Sequence, residues 1–164
     1  MRSTLLVLGV LAASWHMTDT AQIPEKLFGK WELGESENYD AYLEAKGYPW
    51  ILRWIIARAG CTRIFEKRSE NTFRLIIETG KNTIDWDNIK LGEEFVGTYL
   101  DDAVHKVQFD YVPSGPERII EKHKKINSTE PAEAYEYQFD KDGNMFMVME
   151  AKGVVAKRFY SRIG

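Results

Sequence analysis

Several features that would define other classes of protein are scarce in this sequence. Among 164 residues there is a single cysteine, Cys61, so no intramolecular disulfide can hold the fold together. A chain of this length can instead bury a hydrophobic core of its own. Lys and Arg number 22 against 25 Asp and Glu, a net charge of -3. That near balance excludes a broad electrostatic attraction to nucleic acid.

Motifs of catalysis and of metal binding are also missing. The three histidines are His16, His105 and His123. We expect the last two on strand surfaces, with no nucleophile beside either of them. No phosphate-cradling glycine loop and no metal-ligand spacing is present. We therefore expect no catalytic residue, no metal and no cofactor.

The first 21 residues are organised like a secretory signal peptide. Arg2 supplies the positive charge, and the apolar run of residues 5–13 is too short to span a bilayer. Small residues allow cleavage between about positions 14 and 21. We expect residues 22–164 to form one mature, extracellular domain. In a secreted protein, the sequon at Asn127 would be an acceptor for glycosylation.

A strand and two helices are predicted directly after the leader. Residues 28–33 alternate as in a strand, and residues 36–47 then change to a helical period, with Ser36 or Asn38 as the cap. Residues 50–59 form a second amphipathic segment. Its apolar stripe consists of Trp50, Ile51, Trp54 and Ile55.

The rest of the chain is predicted to be strands joined by turns. Nine runs of strand-like sequence follow, at residues 61–68, 72–79, 82–89, 94–100, 103–112, 117–126, 133–140, 144–151 and 154–163. With the first strand they make ten. An open sheet of ten antiparallel strands would expose its edges, so closure into a barrel is favoured. A barrel of this size has room for a ligand. The predicted fold is an all-β, ten-stranded antiparallel β-barrel (β-clam) with a helix-turn-helix lid after the first strand.

Several motifs resemble one family. Residues 29–33 (GKWEL), 36–43 (SENYDAYL), 91–95 (LGEEF), 152–153 (KG) and 158–160 (RFY) follow one another in its order. Together they resemble the fatty-acid-binding protein family, the intracellular lipid-binding proteins, from about residue 24 to the end. The leader and the two tryptophans of the second helix resemble its secreted nematode branch.

The resemblance implies an internal cavity for a fatty acid or retinoid-like ligand, whose carboxylate Arg158 and Tyr160 would hold. These side chains share one face of the last strand. Without the resemblance, Val155 would point inward and Arg158 would be a surface charge. Where family members place a second arginine, this sequence offers Lys122, with Arg118 nearby.

Two further groups have predicted roles in ligand binding and transfer. Met147 and Met149 share a strand face with which a bent acyl chain could pack, although ordinary barrel packing explains them equally well. Trp50, Ile51 and Trp54 would either close the barrel mouth as a lid or contact a membrane.

The predicted function is that of a monomeric extracellular carrier of long-chain fatty acids or a similar small amphipathic lipid, without enzymatic activity. A secreted lipocalin-type carrier is one alternative, although lipocalins usually have disulfides and a late helix. An enzyme acting on a lipid is another, and it would need a base and a nucleophile in the cavity. A packed protein of an extracellular coat is the third.

Overall fold

The computed structural model describes residues 22–164, and the predicted signal peptide lies outside them. A 3-10 turn (Glu25–Leu27) precedes the first strand. The strands are β1 (Gly29–Glu37), β2 (Cys61–Lys67), β3 (Thr72–Thr79), β4 (Thr83–Lys90), β5 (Phe95–Thr98), β6 (Val104–Val112), β7 (Arg118–Lys125), β8 (Glu133–Phe139), β9 (Met145–Ala151) and β10 (Val154–Ile163). The helices α1 (Tyr39–Ala45) and α2 (Trp50–Arg58) follow β1.

All ten strands belong to one antiparallel sheet that curls into a barrel. Its order is β4-β3-β2-β1-β10-β9-β8-β7-β6-β5, so nearly every strand pairs with its neighbours in the chain. The pairing of β1 with β10 joins the first strand to the last, with Trp31 opposite Arg162. Hairpins connect most strands, as the turn residues indicated. The predicted fold class is confirmed.

The barrel has a seam between β4 and β5, which no backbone ladder joins. A tryptophan of β4 covers this gap: the Trp86 indole N–H donates to the Thr98 carbonyl at 3.2 Å. Its ring packs against the ring of Phe95, with centroids 5.4 Å apart. Gly97 leaves the necessary space, because a Cβ there would lie 2.6 Å from the Trp86 Nε1. Side chains therefore close the seam.

Alternation along the strands separates the core from the surface. In β3, the side chains of Phe73, Leu75 and Ile77 are fully buried, while those between them are not. Trp31 is fully buried in the core, and its indole N–H donates to the Leu27 carbonyl at 2.9 Å. Burial of each large apolar side chain stabilises the fold by about 1.5–3 kcal/mol.

The two helices differ in how they meet the barrel. Helix α1 packs on β10 and β9 and buries Tyr42 and Leu43. Asn38 precedes it, but its side chain donates to the Val155 carbonyl at 2.8 Å instead of capping the helix. Helix α2 packs against α1, and none of its residues is buried. Helix α1 is therefore the helix in contact with the barrel strands, and the roles predicted for the apolar stripe of α2, as a lid or as a membrane contact, stay predictions. Neither helix of residues 22–164 is long and apolar enough to cross a membrane.

Candidate functional site

A cluster of buried polar side chains lies inside the barrel. Arg63 of β2 donates from Nη1 to the Tyr137 hydroxyl at 2.6 Å and lies 3.5 Å from the Glu121 carboxylate. Its Nε donates to the Tyr160 hydroxyl at 3.4 Å. Glu121 in turn accepts hydrogen bonds from the Tyr137 hydroxyl and from the Tyr99 hydroxyl, the latter at 2.5 Å. These five residues, here called the polar cluster, come from five different parts of the wall.

The polar cluster satisfies its own charges. Burial alone would lower the pKa of Arg63, but the surrounding tyrosines, Cys61 and Glu121 raise it well above its ordinary value. Burial also raises the pKa of Tyr99 and Tyr137, so both hydroxyls remain protonated donors. Arg63 and Glu121 neutralise each other, as a buried ion pair must. A second carboxylate would have to compete with Glu121 for this guanidinium.

Arg158 is the buried arginine that has no such partner. Its side chain is only 8% exposed, and the guanidinium carbon lies 4.3 Å from the centre of the Tyr39 ring of α1. Its Nε has no hydrogen-bond partner, and it forms no ion pair within residues 22–164. Tyr160 is buried on the same strand face. The surface alternative is wrong, because Val155 is the exposed residue and Arg158 the buried one.

Apolar side chains surround this arginine on the inner wall. Met147 stands opposite Arg158 in the ladder between β10 and β9, and Met149 stands opposite Ala156. Both methionines are buried on the inner face. The structure thus places them beside the arginine, and their contact with a ligand stays a prediction.

The residues predicted to supply a second cation for the carboxylate lie on the outer face of the barrel. Lys122 is 49% exposed and pairs with Asp110 on the outer face at 2.7 Å. Arg118 also lies outside, 3.5 Å from Glu136. Because successive side chains of β7 alternate between faces, it is Glu121 that points inward. The inward cation missed in the sequence is Arg63, at an alternating position between Cys61 and Phe65.

The two histidines are likewise not on the surface as expected. His105 of β6 and His123 of β7 are 6% and 4% exposed on the inner face. Tyr99 stacks on His123, with ring centroids 4.3 Å apart and planes at 16°. Burial lowers the pKa of His123, although Glu121 and Glu133 act against that shift. Within residues 22–164, no cluster of acidic, histidine or cysteine side chains is suited to a metal ion.

An ion pair fastens α1 to the rim of the barrel. Lys46 donates to the Glu133 carboxylate of β8 at 2.6 Å. Tyr135 donates to the same carboxylate at 3.1 Å. Beside α1, a pocket of about 540 Å³ opens between β1 and the helices, and Tyr39 is part of its lining. The same Tyr39 ring covers the guanidinium of Arg158.

The remaining predicted site residues lie at the surface. Trp50 is 70% exposed and Trp54 is 56% exposed, and Ile51 is exposed beside them. Asn127 is exposed in the turn after β7. A membrane contact and glycosylation thus remain predictions at accessible positions.

Ten antiparallel strands in one curled sheet, a helix pair after the first strand and a buried arginine on the last strand define a β-clam. No protein-family model matches the chain. It is 35% identical over 161 residues to Fatty acid-binding protein homolog 1 of Caenorhabditis elegans, covering 97% of this chain and 96% of that protein. It is 34% identical over 160 residues to the Fatty acid-binding protein homolog of Ascaris suum, covering 96% of each. The chain belongs to the fatty-acid-binding protein family.

A solved structure agrees with this assignment. As-p18, an extracellular fatty acid binding protein, superposes with a TM-score of 0.81 at 34% identity, covering 87% of this chain and all of that one. The predicted resemblance to nematode members of the family is confirmed. The lipocalin alternative is not favoured.

Proposed function

We propose that the protein is a monomeric extracellular carrier that holds a long-chain fatty acid, or a similar small amphipathic lipid such as a retinoid, inside the barrel. The single observation that carries this proposal is Arg158, a buried guanidinium without a counter-charge in residues 22–164. Family membership supports the ligand class, since the curated relatives are named as binding proteins. Because those relatives are named as binding proteins, we also propose that this protein binds its ligand without catalysing a reaction.

A ligand carboxylate is the group that this arginine lacks. A buried charge is costly unless it is paired and hydrogen-bonded. A carboxylate beside Arg158 would gain charge-assisted hydrogen bonds, and the nearby Tyr160 hydroxyl could add another. Arg63 is less suited, because Glu121 already neutralises it at 3.5 Å. We therefore assign the carboxylate to Arg158, with the tail packed on Met147 and Met149.

The tail would supply most of the affinity. Burial of each CH₂ group contributes about 0.8 kcal/mol, so sixteen groups would contribute roughly 13 kcal/mol before association costs of several kcal/mol. Submicromolar binding is the expected result. Failure of long-chain fatty acids to displace a fluorescent fatty-acid analogue from the purified protein would refute the proposed function.

Replacement of Arg158 with Gln tests the headgroup assignment. The substitution keeps much of the volume but removes the charge, so a fatty acid should bind about 1–3 kcal/mol more weakly. The matching fatty alcohol should lose far less. Competition titrations with the acid and the alcohol give the comparison, and Arg68→Gln, at a surface ion pair with Asp87, is the control. Equal losses for both ligands would show that Arg158 acts on stability and not on the headgroup.

Secretion is supported by the leader-like residues 1–21 and by the extracellular relative As-p18. The test is expression of the full chain in cells that process signal peptides, with N-terminal sequencing of the protein in the medium. A start between about residues 15 and 22 is expected. Retention in the cell with Met1 intact would contradict this part of the proposal.

Membrane contact through α2 is supported by the exposure of Trp50, Ile51 and Trp54. The double variant Trp50→Ala and Trp54→Ala should slow transfer of a fluorescent fatty acid to vesicles while leaving equilibrium affinity nearly unchanged. Val96→Ala, at another exposed apolar side chain, is the control. Unchanged transfer rates in the double variant would remove the role of α2.

A further inference from the structure

The inner wall carries two unpaired imidazole nitrogens on the strands opposite Arg158. His105 Nδ1 and His123 Nε2 are buried without a hydrogen-bond partner in residues 22–164. The two rings lie 5.5 Å apart, centroid to centroid, on the neighbouring strands β6 and β7. Buried polar atoms in native proteins are nearly always paired, so two such atoms on neighbouring rings indicate a polar group that binds beside them.

The hydrogen-bonding chemistry of the pair narrows the choice of that group. The Nε2 of His105 lies 3.0 Å from the Asp101 carboxylate, which can only accept. This contact engages Nε2, so Nδ1 is the ring nitrogen left for a ligand group. A hydroxyl group suits the pair because it can both donate a hydrogen bond to one imidazole and accept one from the other. A methylene group can do neither.

The position of the pair separates it from the carboxylate site. β7 lies three strands from β10 in the sheet, on the order of 14 Å along the wall at about 4.8 Å per strand. Between them stand Tyr135 and Tyr137 of β8 and the methionines of β9. A ligand whose carboxylate is at Arg158 would therefore reach the histidines with the middle of its chain.

We propose that His105 and His123 form a second polar subsite that binds a hydroxyl group in the middle of the acyl chain, so that the preferred ligand is a hydroxylated long-chain fatty acid. This inference rests on the proposed carrier function, and it concerns residues that the carboxylate site does not use.

Comparison of ligands on the unaltered protein is the first test. Octadecanoic acid and a series of hydroxyoctadecanoic acids, each with the hydroxyl at a different carbon, are titrated by competition against a fluorescent fatty-acid analogue. One or two mid-chain positions should bind about three- to tenfold more tightly than the parent acid. A hydroxyl near the methyl end should not give this gain, because it would lie beyond the two histidines.

Substitution of the histidines is the second test. His105→Phe and His123→Phe should abolish the preference for the mid-chain hydroxyl, while octadecanoic acid binds as well as before or better. Lys124→Gln, exposed on the outer face of β7, is the control and should keep the preference. Should a phenylalanine variant fail to fold, the histidine NMR signals of the unaltered protein give the same information. They should shift more with the hydroxy acid than with the parent acid.

The outcomes separate the two proposals. If octadecanoic acid binds but no hydroxyl position is preferred, or if the preference survives both substitutions, the subsite is refuted and the carrier function stands. If neither the parent acid nor any hydroxy acid binds, the proposed function is refuted and the subsite with it.

Discussion

Replacement of Glu121 by Gln should lower the free energy of unfolding by more than any substitution at the surface. Arg63 and Glu121 are 2% and 0% exposed, so the variant leaves a buried guanidinium without its counter-charge. Breaking one side of a buried ion pair costs about 3–5 kcal/mol. The glutamine also turns an amide N–H₂ toward one of the two tyrosine hydroxyls that now donate to the carboxylate. Such a loss is a large part of an ordinary domain stability of about 5–15 kcal/mol.

Urea denaturation of the ligand-free protein, followed by circular dichroism, measures this loss as a fall in the free energy of unfolding. Glu136→Gln is the matched control, since that carboxylate pairs with Arg118 on the outer face and should contribute at most about 1 kcal/mol. The double variant Arg63→Met and Glu121→Gln should be less destabilised than the sum of the single changes. If Glu121→Gln and the control cost the same and the double variant is additive, the polar cluster does not hold the barrel as described.

Two further perturbations have expected outcomes. Gly97→Ala should destabilise the fold by about 1–3 kcal/mol, because the new Cβ would lie 2.6 Å from the Trp86 Nε1. It should also change the fluorescence emission of the tryptophans. Unchanged emission and stability would contradict the close packing at the seam. Burial alone would raise the pKa of Glu133, but the hydrogen bond from Lys46 brings it below the ordinary value. The stabilisation by this ion pair is therefore present above the ordinary carboxyl range and is lost as the pH falls through the lowered pKa. Hydrogen exchange of the α1 amides should accelerate in that acid range, and Glu133→Gln should remove the pH dependence.

The strands were predictable because apolar and polar residues alternate along them and turn residues mark where they end, so both signals give the same boundaries. In β8, Tyr135 and Tyr137 alternate with Glu136 and Gln138, and the two tyrosines are buried on the inner face. The helix pair was predictable from its change of period. The orientation of α2 was not, because an apolar stripe on a helix does not reveal whether the barrel, another helix or a membrane will cover it.

The faces of β7 could not be read from sequence. Ile119, Glu121 and His123 alternate with Ile120 and Lys122, so each face carries one isoleucine and charged or polar groups. A shift of one residue moves every side chain to the opposite face, and hydrophobicity does not choose between the two registers here. That ambiguity explains why Lys122 was placed inside and His123 outside.

Arg63 was missed for a related reason. An arginine in an alternating strand is most often a surface residue. The groups that make its burial favourable, Glu121 of β7 and the hydroxyls of Tyr137 and Tyr160, are all distant from it in sequence. The sequence signal is a pair of opposite charges, Arg63 of β2 and Glu121 of β7. It could have been found by considering both possible registers of each strand and asking which combination places opposite charges inside.

The seam has a consequence for how the barrel changes size. Separating two strands elsewhere in the sheet breaks several ladder hydrogen bonds, each worth about 1 kcal/mol net. Between β4 and β5, the contacts that must break are those of the Trp86 indole and the polar contacts from Lys81 and Asn82 to Asp102 and to the Leu100 carbonyl. The circumference of the barrel can therefore widen or narrow along this one line while every ladder stays intact. A wall built in this way can fit interiors of different volume without any strand changing its register.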